Sequence, residues 1–148
     1  MLIPFKNNPL ILHTVSVFHN SPFIQSIVLV VSKDIYKNAL EIFPNTKWSK
    51  ITEIAIGGER RQDSVRNGLS RSKNTQWVII HDGARPFITE SLIQKGLSAA
   101  KNSGSAVAAV PVTDTIKKVD GQNVIHTLPR NKLWSIQTPQ IFKYEIIK

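Results

Sequence analysis

Cysteine is absent from all 148 residues, which excludes disulfide staples and thiolate metal sites and fits a reducing compartment. No apolar run approaches the roughly 20 residues that a bilayer-spanning helix needs. Met1 to Lys6 lacks the apolar core of a secretory leader, so a cytoplasmic protein with no membrane partner is expected. Blocks of like charge are missing too. Lys and Arg number 19 against 10 Asp and Glu, a net charge of +9, yet the basic residues are dispersed along the chain. Nucleic acid is therefore not the expected partner, whereas a diffuse positive field speeds encounter with nucleotides and sugar phosphates. There is no internal repeat or low-complexity tract, and the length suits one domain but not two of ordinary size.

What is present centres on Trp77-Val78-Ile79-Ile80 followed by His81-Asp82-Gly83-Ala84-Arg85-Pro86. Four bulky residues without polar alternation predict a strand covered on both faces, as in the middle of a parallel sheet. In open α/β sheets ligands lie beyond the carboxyl ends of strands, which places His81, Asp82 and Arg85 at a candidate site. An Asp-Gly pair after a strand is by itself explained equally well by a turn. The neighbouring Arg85 adds a fork suited to phosphate, and the Asp82 carboxylate suits Mg²⁺.

In chain order, Met1 to Asn8 is a lead-in and Pro9 to Asn20 has the apolar spacing of a helix. Ile27 to Val31 reads as a second buried strand, Lys33 to Phe43 as a helix stopped by Pro44, and Ile51 to Ile56 as a third strand. Gly57-Gly58 then feeds a helix running to about Ser70, capped by Asp63 or Ser64. Two glycines at a strand-to-helix junction leave amides open to a ligand, though neither a Walker loop nor a dinucleotide fingerprint is completed. Thr89 opens a helix to about Asn102, and Ala106 to Val110 is a further strand. This alternation predicts an α/β fold, a three-layer sandwich with a mainly parallel sheet. Thr113 to Val119 and Val124 to Thr127 flank Asp120-Gly121 and predict an antiparallel arm over about 113–130. A strand over Leu133 to Ile136, a break at Thr138-Pro139-Gln140 and a helix over Tyr144 to Lys148 complete the chain.

Four blocks, Gly57 to Leu69, His81 to Pro86, Pro111 to Lys117, and Leu133-Trp134 with Gln137 to Phe142, are similar in order and spacing to the 2-C-methyl-D-erythritol 4-phosphate cytidylyltransferases. Ribitol-5-phosphate cytidylyltransferase shares the architecture, and Asp63-Ser64-Val65 and Gln137-Thr138-Pro139-Gln140 match the methylerythritol enzymes better. The resemblance implies transfer of CMP from CTP to a sugar-alcohol phosphate with release of pyrophosphate. It implies that Gly58, Ser64 and Gly83 line the cytosine pocket, that Glu59 lies near the nucleotide, and that Arg85 supports the same pocket. Asp82 would bind Mg²⁺ near the α-phosphate. Thr115 and Arg130 on the arm, counted with Asp82 as catalytic, would hold the polyol phosphate together with Thr138. The arm residues would be offered across a homodimer interface.

The family's pattern also includes an opening strand with a Gly-rich, phosphate-cradling loop ending in Pro-Lys-Gln, and further strands beyond the position of Lys148. The expectation is a single incomplete nucleotidyltransferase domain over 1–148, weak or inactive alone. Each charge-assisted hydrogen bond lost from the triphosphate would cost about 1.5–3 kcal/mol. A non-catalytic basic α/β binding module is the competing expectation.

Overall fold

A computed structural model describes residues 2–72 and 74–148, so Met1 of the expected lead-in lies outside it. The lead-in is itself structured: β1 (Pro4–Phe5) and β2 (Asn8–Pro9) form a minimal antiparallel hairpin. Lys6 and Asn7, with φ of 47° and 66°, make its turn, the two-residue arrangement whose twist matches paired strands.

Helix α1 (Leu10–Asn20) leads into β3 (Ile27–Val31), and a short 3-10 turn (Lys33–Ile35) opens α2 (Tyr36–Ile42). β4 (Ile51–Ile56) then pairs in parallel with β3. Alternation along β3 divides two layers. Leu29 and Val31 are buried with Ile11 and Val15 of α1 and with Ala39 and Phe43 by α2. Val30 projects from the other face and approaches Gly68 of α3 (Arg61–Leu69). Helices on both faces give the expected three-layer arrangement.

β5 (Trp77–Ile80) is followed by α4 (Glu90–Ser103) and β6 (Ser105–Pro111). Both ends of α4 are as read: Thr89 Oγ1 accepts from Leu92 N at 3.2 Å, and Gly104, at φ 82°, closes the helix in the left-handed region that glycine enters without strain. β9 (Trp134–Lys143) lies between β5 and β6 and is antiparallel to both. β5 and β6 therefore share a direction. The carboxyl ends of β4 and β5 converge where Arg61 meets Asp82, so β3 to β6 all run one way and β9 alone is reversed. The sheet is mainly parallel, as expected, but β5 is corrected in detail: its one strand partner among the described residues is antiparallel.

A second correction concerns β9, expected to break at Thr138-Pro139-Gln140. The strand runs through. Across from it Val107 pairs with Gln140 and Ala109 with Ile136, so three residues of β9 face one of β6 in a bulge that contains the proline. A bulge is one of the few sheet positions where a residue without an N–H costs no ladder bond.

The arm is β7 (Lys117–Asp120) and β8 (Asn123–Thr127), with every residue exposed. Residues 113–116, expected as strand, lie outside it. A 3-10 turn (Arg130–Lys132) returns the chain to β9, and α5 (Tyr144–Ile147) is a single helical turn. Among the described residues no helix is long and apolar enough to cross a membrane.

Candidate active site

The site is assembled where the ends of β4 and β5 meet the bulge of β9. After β4, Gly57 N donates to Val31 O at 2.8 Å, holding the loop against the sheet. Gly58 N donates to Ser64 Oγ at 3.1 Å, folding the loop over the start of α3. A Cβ on Gly57 would lie 2.6 Å from Ser64 Oγ, and one on Gly58 2.4 Å from Asp63 Cβ, so the approach demands glycine at both positions. Asp63 was expected as an N-cap and instead sits in the first turn. Its Oδ2 accepts from Arg60 N at 3.2 Å and Arg60 Nε at 2.9 Å, and this donation from Arg60 holds its carboxyl below the ordinary range.

Asp82 stands at the tip of β5 between two guanidinium groups. Arg61 Nε lies 3.2 Å from Oδ1 and Arg85 Nε 3.1 Å from Oδ2. Its own N–H donates to Oγ1 of buried Thr138 at 3.3 Å, so the bulge of β9 supports the turn from beneath. Gly83 O accepts from Thr14 Oγ1 of α1 at 2.8 Å. Arg85 O accepts from His81 Nε2–H at 3.1 Å. Burial pushes the His81 imidazole below its ordinary value, and its buried Nδ1 has no hydrogen-bond partner among the described residues.

The side chains of Asp82, Arg61 and Arg85 are 36%, 54% and 45% exposed. Ion pairs this open contribute about 0–1 kcal/mol to stability, so the fold gains little from them. Their effect is to leave two guanidinium groups around one carboxylate, a local excess of positive charge that suits an anion with several phosphates; the Gly57 and Gly58 amides, expected to be open to a ligand, are instead taken by Val31 O and Ser64 Oγ. No group of three or more His, Cys, Asp or Glu able to hold a metal occurs among the described residues. Mg²⁺ commonly takes one or two carboxylates with the rest of its shell from phosphate and water, and a one-third-exposed Asp82 meets that requirement when a guanidinium yields an oxygen to the cation.

Of the residues expected from sequence, Gly58, Ser64, Asp82, Gly83, Arg85 and Thr138 are brought together. Glu59 is exposed on the same loop and makes no hydrogen bond among the described residues. Thr115 and Arg130 are not brought to this cluster within one chain. Thr115 is exposed, and Arg130 Nη1 donates to Thr113 O at 2.8 Å. Sequence reasoning missed Arg61 and Thr14. Arg61 lay inside a recognised block, but its partner is 21 positions away, and Thr14 is 69 positions from Gly83.

The family model described as IspD, 2-C-methyl-D-erythritol 4-phosphate cytidylyltransferase, matches residues 1–148. A protein of that name from Dehalococcoides mccartyi is 50% identical over 144 residues, covering 97% of this chain and 63% of the relative. The crystal structure of 4-diphosphocytidyl-2C-methyl-D-erythritol synthase from Anaerococcus prevotii superposes with a TM-score of 0.84 at 27% identity, over 97% of this chain and 63% of that one. That of the cytidylyltransferase from Thermus thermophilus gives 0.77 at 26% identity, over 98% and 65%. The chain thus spans less than two thirds of the length of these relatives. With a family match over residues 1–148, 50% identity to a relative over 144 residues and the fold of a solved structure of that name, this chain belongs to the 2-C-methyl-D-erythritol 4-phosphate cytidylyltransferase family.

Proposed function

We propose that the chain binds CTP across the 57–64 loop and the 82–85 turn and serves cytidylyl transfer to 2-C-methyl-D-erythritol 4-phosphate. A phosphate oxygen of the polyol attacks the α-phosphorus of CTP, a P–O bond forms, and the bond to the β-phosphate breaks with its electron pair leaving on pyrophosphate. The observation that carries this reading is the Asp82 carboxylate held between Arg61 and Arg85 at a strand end, beside the Gly58–Ser64 loop.

Phosphoryl-type transfer needs positioning and charge neutralisation more than covalent help. Arg61 and Arg85 supply charge and planar donors for phosphate oxygens. Gly58, Gly83 and Ser64 shape the wall that accepts the base, with exposed Glu59 at its rim. Thr138, by holding Asp82 N, fixes the turn and faces the polyol side. Mg²⁺, when bound through Asp82 and phosphate, would supply further neutralisation worth several kcal/mol in the transition state. The proposed setting is the cytoplasm.

Thr115 and Arg130 enter the reading through a second copy. Val119, Val124 and Ile125 are 55%, 60% and 54% exposed on a two-stranded ribbon, an element marginally stable in water without something to pack on. A homodimer that covers the ribbon would present these two residues to the partner's polyol phosphate.

Equilibrium dialysis of the purified chain with CTP and Mg²⁺ tests the nucleotide half. Binding is expected, weakened at least tenfold in Asp82→Asn and reduced by EDTA. Pyrophosphate release with methylerythritol phosphate is expected to exceed that with ribitol 5-phosphate. Absent CTP binding, with affinity for duplex DNA that falls steeply with salt, would replace this reading by a basic binding module.

A further inference from the structure

Thr14 is polar, 3% exposed and in the middle of α1, and its hydroxyl does not make the bond that its position favours. A serine or threonine inside a helix ordinarily returns its hydroxyl to a carbonyl three or four residues back. Ser16 on the same helix does so, donating to His13 O at 2.9 Å. Thr14 Oγ1 instead donates to Gly83 O at 2.8 Å, out of the helix and into the turn after β5. Threonine is also a weaker helix former than alanine, so nothing local favours it here. Thr14, Ser21 and Thr138 are the buried polar side chains among the described residues, and two of these three hold this one turn: Thr138 takes Asp82 N and Thr14 takes Gly83 O.

The Gly83–Ala84 peptide has Thr14 as its one hydrogen-bond partner among the described residues, since Ala84 N donates to no protein acceptor. That peptide is trans, so its C=O and N–H point in opposite directions. Drawing the carbonyl toward α1 therefore aims Ala84 N–H away from that helix, on an exposed residue between Asp82 and Arg85. The anchor is firm, because Ile11 and Val15 of α1, 1% and 5% exposed, are packed in the core with Leu29 and Val31 of β3. Arg85 N donates to Asp82 O at 3.0 Å across the same turn, so a swing of the peptide between them is carried to both side chains. We infer that Thr14 is a positioning residue of the nucleotide site. Its hydroxyl holds the Gly83–Ala84 peptide so that Ala84 N–H and the Asp82 and Arg85 side chains meet an incoming nucleotide in one arrangement, the amide donating to a nucleotide oxygen. Without the hydroxyl, Gly83 O loses its donor and the turn samples arrangements that binding must then select from. The inference deepens the proposed function and rests on it.

Equilibrium dialysis of the intact chain with CTP and Mg²⁺, beside amide NMR of the same proteins, tests it. Thr14→Val keeps the shape and removes the hydroxyl, whereas Thr14→Ser keeps the hydroxyl. The valine variant is expected to bind CTP about tenfold more weakly or worse, the loss of one buried hydrogen bond, and the serine variant to stay within about twofold of wild type. Ile93→Val, at a fully buried position on α4, controls for lost packing and should lower the melting temperature without changing CTP affinity. Without nucleotide, fast backbone motion at Gly83 and Ala84 should rise in the valine variant and not in the serine one. In an Asp82→Asn background Thr14→Val should cost less than about threefold, because both changes act through one turn, whereas a purely structural hydroxyl would add its full cost there. In the wild-type chain CTP should shift the Ala84 amide resonance, a reading that needs no variant to fold. Wild-type affinity in the valine variant, serine no better than valine, additive losses, or an Ala84 amide indifferent to bound CTP would each overturn the inference and leave the proposed function standing. A wild-type chain that binds no CTP would instead overturn the proposed function, and the inference with it.

Discussion

Asp82 holds two guanidinium groups on a carboxylate open to solvent, so changing those groups should alter ligand affinity far more than stability. Arg61→Ala is expected to weaken CTP binding about 10- to 150-fold, the loss of one charge-assisted hydrogen bond, while thermal unfolding moves little. Dialysis and a melting curve on the same preparation check both halves. Asp63 gives a pH signature of its own. Its folded carboxyl is held below the ordinary 3.8 by Arg60, so its contribution is present above that value and fades as pH falls through the lower, folded one. Asp63→Asn should therefore melt lower than wild type at pH 7, and the gap should close in strongly acid buffer. Asp82 was legible because a carboxylate at the end of a buried strand is a local pattern. Arg61 was not, because a side chain's partner across 21 positions is decided by how α3 docks on the sheet.

At the scale of elements, helix ends and the β3, β4 and β5 runs were readable, since caps and apolar runs act within a few residues. Gly104→Ala is expected to cost about 1–2 kcal/mol, because φ of 82° disfavours any side chain and its Cβ would meet Ile146 Cδ1 at 2.6 Å. Urea unfolding measures it. Ile141, 1% exposed on β9 and close to Gly96 of α4, should cost about 2–5 kcal/mol when cut to alanine. The strand that carries Ile141 was read as interrupted at Pro139. A proline's missing donor matters only where a ladder bond would form, and that depends on the opposing register of β6, which no local window contains.

At the scale of the whole molecule, the proposed homodimer rests on the exposed Val119, Val124 and Ile125 of the arm. Val124→Lys combined with Ile125→Lys is expected to abolish dimers seen by sedimentation at micromolar concentration while leaving CTP binding by the single chain intact. Dimers that persist unchanged would remove Thr115 and Arg130 from the partner's site. The sequence alone determined the α/β class, the family and the strand-end placement of Asp82, because composition, periodicity and short motifs are properties of neighbouring residues. Only the tertiary structure decided that β9 runs reversed between β5 and β6, that Arg61 and Thr138 converge on Asp82, and that Thr14 of α1 reaches Gly83. Those are relations between distant segments, set by the packing of helices on both faces of the sheet.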